Sequence, residues 1–148
     1  MKRDYANYQV ALKVLLRRGD EVLFLRITDP LMCFDLPGGR IDNVETKTPL
    51  ARILAREVRE ELGVDVRYTL GAPLFQFRRY VASHKIYNFL TVYDAEFLSG
   101  DIELSHEHSS YEWLNPKIYT FKRSQFLSSE EYAAFSNFFT RIKKSKRI

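Results

Sequence analysis

Residues 38–45 read GGRIDNVE, and residues 56–64 read REVREELGV, with ten residues between Glu45 and Arg56. Glu57, Glu60 and Glu61 in the second segment are spaced i, i+3 and i+4. At about 100° of rotation per residue, a helix places these three carboxylates on one stripe. A divalent cation such as Mg²⁺ offsets their mutual repulsion, because it prefers several oxygen ligands at once. The two segments therefore predict a metal-binding helix behind a glycine turn.

The residues around the glutamates predict the bounds of that helix as 49–62. Thr48 and Pro49 suit the N-cap and the first helical position, and Gly63 suits the position just past the end. An apolar stripe beside the glutamates is expected to pack on a core. The predicted members of this stripe are Ala51, Leu54, Ala55, Val58 and Leu62. The glutamates then lie along the edge of a groove.

The two segments resemble the Nudix box, G-x5-E-x7-R-E-U-x-E-E-x-G-U, in which U is an aliphatic residue. Gly39 and Glu45 match its first half, and residues 56–64 match every fixed position of its second half. Between the halves this chain has ten residues where the pattern has seven. We therefore expect a connection three residues longer, within residues 43–47, and an unbroken helix. The resemblance implies that Glu45 braces Arg56, a role that the longer connection leaves open.

Two further stretches extend the resemblance over about residues 10–114. The sequence FDLP at residues 34–37 is similar to the aromatic-x-aliphatic-proline segment that precedes the glycines in the family. SHEHS at residues 105–109, followed by YEWL, resembles the loop and strand that often supply another glutamate. The resemblance implies an α/β fold of the Nudix type. This fold is an α/β/α sandwich with a mixed β-sheet between two main helices.

The rest of the chain is patterned for such a fold. Alternating or β-rich runs predict strands at residues 8–16, 21–27, 64–70, 74–80, 85–97 and 111–114. A final helix over about residues 130–144 follows Ser128 and Ser129, either of which can cap it. No internal repeat or linker interrupts the sequence, so we expect a single domain over residues 1–148.

The resemblance implies a reaction in which water attacks phosphorus in a nucleoside diphosphate linked to another group. By the same resemblance, Glu57 and Glu61 are direct ligands of Mg²⁺, with Mn²⁺ as an alternative. Glu60 is a ligand or acts through water, and the carbonyl of Gly38 completes the set. Arg56 orients the glutamates.

The general base and the substrate contacts are less closely defined by the sequence. Either Glu57 or Glu107 can act as the base, and Glu107 can instead bind metal. Arg78 and Arg79 lie on a predicted strand, so only one of them should face the cleft, where it would contact substrate. Phe34 is a candidate for stacking on a base, although an aromatic residue equally suits the core.

Composition limits the partners and the compartment. The formal net charge of +4 comes partly from the basic residues within 143–147, which we interpret as a solvated chain end rather than a nucleic-acid site. Cys33 is the only cysteine, which excludes an intramolecular disulfide and suits the cytoplasm. No apolar run predicts a membrane span or a signal peptide. The oligomeric state stays open, with a homodimer as one option.

Three functions remain after the sequence analysis. The leading one is hydrolysis of a small nucleotide, which could be a nucleoside triphosphate, a nucleotide sugar or a dinucleoside polyphosphate. The second is removal of pyrophosphate from the 5′ end of RNA, which only the basic chain end supports. The third is a non-catalytic module that senses a nucleotide, and the presence of all three helix glutamates argues against it.

Overall fold

The computed structural model describes residues 1–28 and 30–145. Within these ranges, seven strands form one sheet, and two α-helices and two short 3-10 helices accompany it. The strands are β1 (Tyr8–Arg18), β2 (Glu21–Ile27), β3 (Phe34–Asp35), β4 (Gly38–Arg40), β5 (Arg67–Val81), β6 (Ile86–Ser99) and β7 (His108–Leu114). The helices are α1 (Leu50–Leu62) and α2 (Ser129–Ser145), and the 3-10 helices cover Asn43–Glu45 and Arg123–Gln125.

The sheet is mixed, as predicted. Its central order is β3-β2-β1-β6-β5, and β4 pairs with β1 while β7 pairs with β2. Strands β1 and β6 run parallel, from the pair Tyr8 and Tyr87 to the pair Arg17 and Glu96. The other strand pairs are antiparallel. A parallel pair at the centre requires a long crossover between β1 and β6, and this crossover includes α1.

Strand β1 supplies side chains to two cores on opposite faces of the sheet. Leu12, Val14 and Leu16 belong to the core that contains the buried residues of α1. Ala11 and Leu15 belong to the core that contains the buried residues of α2. Because successive strand residues point to opposite faces, this alternation gives a sheet covered on both sides. The predicted α/β/α sandwich is thereby confirmed.

Helix α1 is unbroken, but its buried face differs slightly from the prediction. Leu54, Val58 and Leu62 are buried as expected, together with Ile53. Ala51 and Ala55 are exposed, so their predicted place in the core is wrong. The larger side chain of Ile53 removes more apolar area from water than an alanine would. The helix begins one residue later than predicted, with Pro49 rather than Thr48 at the N-cap.

Strand β5 replaces two predicted strands. Residues 67–81 form one element, and its pairing with β6 shifts register on both sides of Pro73. Strand β5 lies at the edge of the sheet. An edge position tolerates proline, which has no N–H to donate to a neighbouring strand. The strand therefore continues through residues 71–73, which separate the two predicted strands.

The predicted role of Phe34 in substrate stacking is wrong, because the side chain lies in the core. Phe34 is 1% exposed, and its ring lies 4.9 Å from that of Phe24 and 5.8 Å from that of Phe126. The guanidinium of Arg26 covers the ring at 3.8 Å. A ring enclosed in this way has no face left for a nucleobase.

The end of the chain is only partly described. Helix α2 includes Lys143 and Lys144 in its last turn, where cations favourably meet the negative end of the helix dipole. Lys146 and Arg147, which complete the predicted basic end, lie outside the described residues. No helix in the described part of the chain is long and apolar enough to cross a membrane.

Candidate active site

The glycine turn lies unusually close to its neighbours. Gly38 has a φ of 134°, and a Cβ there would collide with the carbonyl oxygen of Leu12 on β1. A Cβ on Gly39 would collide with the carboxylate of Glu57 on α1. At position 38 only glycine allows both the backbone angle and the approach to β1, whereas at position 39 a larger residue would require the Glu57 carboxylate to move. The two glycines thus let α1 bring its carboxylates against β4.

Glu61 is the most buried of the three helix glutamates. Its Oε2 accepts a hydrogen bond of 2.9 Å from the backbone N–H of Gly38. Burial raises the pKa of Glu61 to about 7, although the nearby ammonium of Lys13 and the Gly38 hydrogen bond oppose the shift. A carboxylate held this far from water is stabilised by any cation that can reach it.

Glu57 and Glu60 lie closer to solvent. Glu57 is half-buried against Gly39, and burial raises its pKa although Arg56 opposes the shift. Glu60 is exposed. The helix therefore presents a graded series of carboxylates from the interior to the cleft surface.

Arg56 connects three carboxylates. Its Nε and Nη2 each donate to Glu45 at 2.6 Å, and Nη2 also lies 2.9 Å from Glu57. A further hydrogen bond of 3.1 Å reaches Glu60. The structure thus pairs Glu45 with Arg56 despite the longer box.

Glu45 is also fixed from its other side. It ends the 3-10 helix, and its Oε1 accepts a hydrogen bond of 3.0 Å from the N–H of Asp42. The side chain of Asp42 accepts in return from the N–H of Val44. Glu45 keeps its partner, and residues 46–49 connect it to the start of α1 at Leu50.

A buried lysine on β1 donates hydrogen bonds to the backbone at the glycine turn. Lys13 Nζ donates to the carbonyls of Leu36 at 3.1 Å and Gly38 at 3.0 Å, and lies 3.2 Å from Asp35. The signal in the sequence is that Lys13 is a charged residue within the otherwise apolar stretch of β1. Its role was not predicted, because nothing local in the sequence shows its distant partners.

Asp35 is the centre of a buried polar cluster next to Lys13. It pairs with Arg79 at 3.3 Å and with His108 Nε2 at 3.0 Å. Burial would raise the pKa of Asp35, but Lys13, Arg79 and His108 outweigh it and hold the pKa well below its usual range. Because Asp35 is ionised, His108 Nε2 is the hydrogen-bond donor. Arg79 also pairs with buried Glu131 on α2 at 2.6 Å.

Of the two predicted arginines, only Arg79 lines the cleft. Arg78 points to the other side of β5, where its guanidinium pairs with Glu130 at 2.9 Å. This difference follows from the alternation of side chains along a strand. The prediction that Arg78 contacts substrate in the cleft therefore lacks support from its position.

One large cleft brings the other predicted residues together. Its volume is about 1230 Å³, and its lining includes Gly38, Gly39, Glu45, Arg56, Glu57, Glu60, Glu61, Arg79 and Glu107. Glu107 is exposed in the loop before β7. Gly63 lies outside the lining, at the end of α1, where its φ of 94° suits glycine. The cleft also has two buried polar atoms without a partner among the described residues, Asn88 Oδ1 and His108 Nδ1.

The carboxylates are held by protein partners in this arrangement. No three His, Cys, Asp or Glu side chains within residues 1–28 and 30–145 are arranged to bind a metal ion as they stand. Glu57 is drawn to Arg56, and Glu61 is bound by the Gly38 N–H. The donor set nevertheless consists of hard oxygen ligands, as Mg²⁺ prefers. Side-chain rotation in α1 would be needed to direct them at one ion.

Comparison with known proteins identifies the family. The profile of the NUDIX domain matches residues 7–135. A MutT protein from Methanosarcina mazei is 25% identical, with a TM-score of 0.72 and coverage of 99% of this chain and 100% of its own. The ORF135 protein of E. coli is 18% identical, with a TM-score of 0.71 and coverage of 95% and 94%. No curated protein sequence matches this chain significantly.

The likeness extends to a more distant enzyme structure. An ADP-ribose pyrophosphatase from Streptococcus suis is 14% identical, with a TM-score of 0.60 and coverage of 96% of this chain and 94% of its own. The family profile covers most of the chain, so this protein belongs to the Nudix family. It is a Nudix-type pyrophosphohydrolase.

The close approach of Gly39 to Glu57 predicts the effect of one added methyl group. Gly39→Ala should lower the turnover number at least about tenfold, because the new Cβ displaces the Glu57 carboxylate. Steady-state hydrolysis rates measure the effect. In the control Gly19→Ala, the Cβ meets nothing within 4 Å, so turnover should be unchanged despite the strain of a φ of 62°. Equal turnover in Gly39→Ala and wild type would contradict the packing.

The buried position of Glu61 predicts a pH-dependent stability in metal-free protein. Its folded pKa of about 7 exceeds its ordinary value of 4.5. The stability gained from the protonated form is complete below about pH 4.5 and is lost as pH rises through 7. Glu61→Gln should therefore be more stable than wild type at pH 8.5, by up to about 3 kcal/mol.

Urea unfolding in the presence of a chelator at pH 5 and pH 8.5 measures this difference. Mg²⁺ should then stabilise the wild type more than the Glu61→Gln variant, because the variant lacks a carboxylate ligand. The exposed control Glu103→Gln should follow the wild type at both pH values. Parallel pH profiles for Glu61→Gln and wild type would contradict the expected shift.

Proposed function

We propose that residues 1–148 form one Nudix domain that hydrolyses a nucleoside diphosphate linked to another group. The observation that carries the proposal is the convergence of Glu57, Glu60 and Glu61 on one cleft beside the glycine turn. Family membership independently supports the reaction type. A non-catalytic sensing role would not require these carboxylates to be braced and partly buried.

Nudix proteins generally use a divalent metal ion, and the residues of this cleft fit one by their chemistry. Glu57, Glu60, Glu61 and the carbonyl of Gly38 would hold it. When bound there, such an ion would neutralise phosphate oxygens and lower the pKa of the attacking water. Mg²⁺ is the expected metal, and Mn²⁺ is an alternative. A divalent cation would offset the cost of burying Glu61 and Glu57, whose pKa values are both raised by burial.

Arg56 acts as a positioning residue in this proposal. It holds Glu45 through two hydrogen bonds and Glu60 through one. If Glu57 turns towards a metal, Arg56 therefore keeps carboxylate partners and its charge remains balanced. The 3-10 helix at Asn43–Glu45 then fixes Arg56 through Glu45. Arg56 in turn limits the positions that the glutamates of α1 can adopt.

Two carboxylates can take the proton of the attacking water. Glu57 lies against the glycine turn, where burial raises its pKa towards the range useful for a general base. Glu107 lies in the loop before β7 and lines the same cleft. Kinetic tests of the two variants decide between them.

The substrate is proposed to be a small nucleotide rather than RNA. Arg79 and Lys13 add positive charge beneath a cleft that must accept several phosphate oxygens. Both cations are paired with Asp35, so neither is free. Each would provide oriented N–H donors, and Asp35 neutralises part of their charge. Arg79 is the expected phosphate contact because it lines the cleft with a planar set of donors.

Hydrolysis should require added Mg²⁺ or Mn²⁺ and should stop with a chelator. Glu57→Gln and Glu61→Gln should each lower turnover at least about a hundredfold, because each removes a ligand or a base. Phosphate or pyrophosphate release from nucleoside triphosphates, nucleotide sugars and dinucleoside polyphosphates measures the effect. Glu103→Gln, on an exposed residue outside the cleft lining, is the matched control and should retain full turnover.

Glu107→Gln separates the two candidate bases. If Glu107 is the base, this variant should lose turnover with little change in KM. If it keeps wild-type kinetics, the base is Glu57 or another group. Full activity of the wild type in metal-free buffer would contradict the proposed mechanism as a whole.

A further inference from the structure

A connected group of exposed aromatic side chains lies beside the cleft. Tyr8, Tyr80 and Tyr87 are 38%, 53% and 46% exposed. Tyr87 pairs with Tyr8 across β1 and β6 and with Tyr80 across β5 and β6. Directly paired residues of neighbouring strands point to the same face of a sheet, so the three rings share one surface. We call these three tyrosines, together with Phe89, the tyrosine platform.

Contacts among its members hold the platform in place. The rings of Tyr80 and Tyr87 are 5.2 Å apart, and those of Tyr8 and Phe89 are 5.8 Å apart. The guanidinium of Arg78 lies 5.5 Å from the ring centre of Tyr87 and donates to the hydroxyl of Tyr8 at 3.5 Å. Glu130 fixes Arg78 from the other side. The platform is therefore an ordered aromatic surface with a cation at its edge.

The platform meets the catalytic cleft at Tyr8, while Tyr80 and Tyr87 lie outside the cleft lining. Tyr8 belongs to the platform and also lines the cleft, as do its neighbours Gln9 and Val10. Leu12 on β1 pairs with Gly39 of the glycine turn. Tyr8 is four residues from Leu12, which corresponds to about 13 Å along a strand. A group stacked on the platform thus lies well away from the carboxylates of α1.

The composition of the platform suits a planar, uncharged ring. Single exposed aromatic residues are common on protein surfaces and need no explanation. Several tyrosines in mutual contact beside an arginine instead offer the stacking and cation–π contacts that nucleobases use. The cleft volume of about 1230 Å³ also exceeds the roughly 300–1,000 Å³ of ordinary small-molecule sites. There is room for a substrate larger than a mononucleotide.

We propose that the tyrosine platform stacks a second nucleobase of the substrate. The preferred substrates then carry a nucleoside at each end of the phosphate chain that is cleaved. This inference rests on the proposed hydrolase function and narrows its substrate class. One nucleoside would lie in the cleft, and the second would meet the tyrosines. A dinucleoside polyphosphate has this chemistry, whereas a 5′-triphosphorylated RNA carries a nucleoside at only one end of its triphosphate.

Steady-state kinetics with three substrates test the proposal. ATP carries one base, diadenosine tetraphosphate carries two, and a 5′-triphosphorylated dinucleotide represents RNA. Tyr80→Ala and Tyr87→Ala should each lower kcat/KM for diadenosine tetraphosphate about tenfold, through KM, since removing a stacking ring weakens the binding of one base. The kcat value, and all constants for ATP, should stay within about twofold.

Two further variants serve as controls. Tyr87→Phe keeps the ring and should behave as wild type. Tyr111→Ala removes an equally exposed tyrosine from β7, away from the cleft, and should change nothing. If the selective loss occurs with the triphosphorylated dinucleotide and not with diadenosine tetraphosphate, the platform stacks the second base of an RNA, and the proposed substrate class is wrong.

Other outcomes would overturn the proposal. Equal losses for ATP and the two-base substrates would show that the platform does not bind a second base. Wild-type protein that hydrolyses ATP as efficiently as both two-base substrates would also contradict it, while leaving the proposed hydrolase function intact. No hydrolysis of any nucleotide in the presence of Mg²⁺ would instead refute the proposed function itself.

Discussion

The buried hydrogen bond from the Gly38 N–H to Glu61 joins the two halves of the site. It attaches α1 to β4, and β4 in turn pairs with the central strand β1. Without this bond, burial would leave the Glu61 carboxylate with few partners, which is costly for an ionisable group. Glycine is required at position 38 because any larger residue would collide with β1. The core packing of α1 and the contacts of Arg56 fix the other carboxylates beside this attachment.

Charge balance around that attachment explains why the site contains so many paired groups. Two cations lie near the glycine turn, Lys13 on β1 and Arg56 on α1, and each contacts more than one acceptor. These cations reduce the repulsion among the clustered carboxylates before any metal binds. Burial nevertheless keeps the pKa values of Glu57 and Glu61 raised. A divalent ion would therefore offset the cost of burying these two carboxylates.

The sequence predicted the local features well and the distant contacts poorly. Helix α1 and its glutamates follow from spacing within one short segment, and the mixed sheet follows from the resemblance. The cluster of Lys13, Asp35, Arg79, His108 and Glu131 joins five elements of the fold, so no local pattern could reveal it. Phe34 was misassigned because core packing and base stacking favour the same residue types. Strand β5 was predicted as two strands. Proline is tolerated within a strand at a sheet edge, but the sequence does not show which strand lies at the edge.

The central claim is that the glycine turn and the α1 carboxylates form a divalent metal site. Crystals of the wild-type protein grown with Mn²⁺ and a non-hydrolysable nucleotide analogue would test it directly, because anomalous scattering locates Mn²⁺ without assumptions about ligands. We predict an anomalous peak within coordination distance of the Glu57 and Glu61 carboxylates, with Glu60 or the Gly38 carbonyl nearby. A well-ordered nucleotide whose Mn²⁺ binds elsewhere, with Glu57 still paired to Arg56 and Glu61 still bound only by Gly38, would contradict the claim.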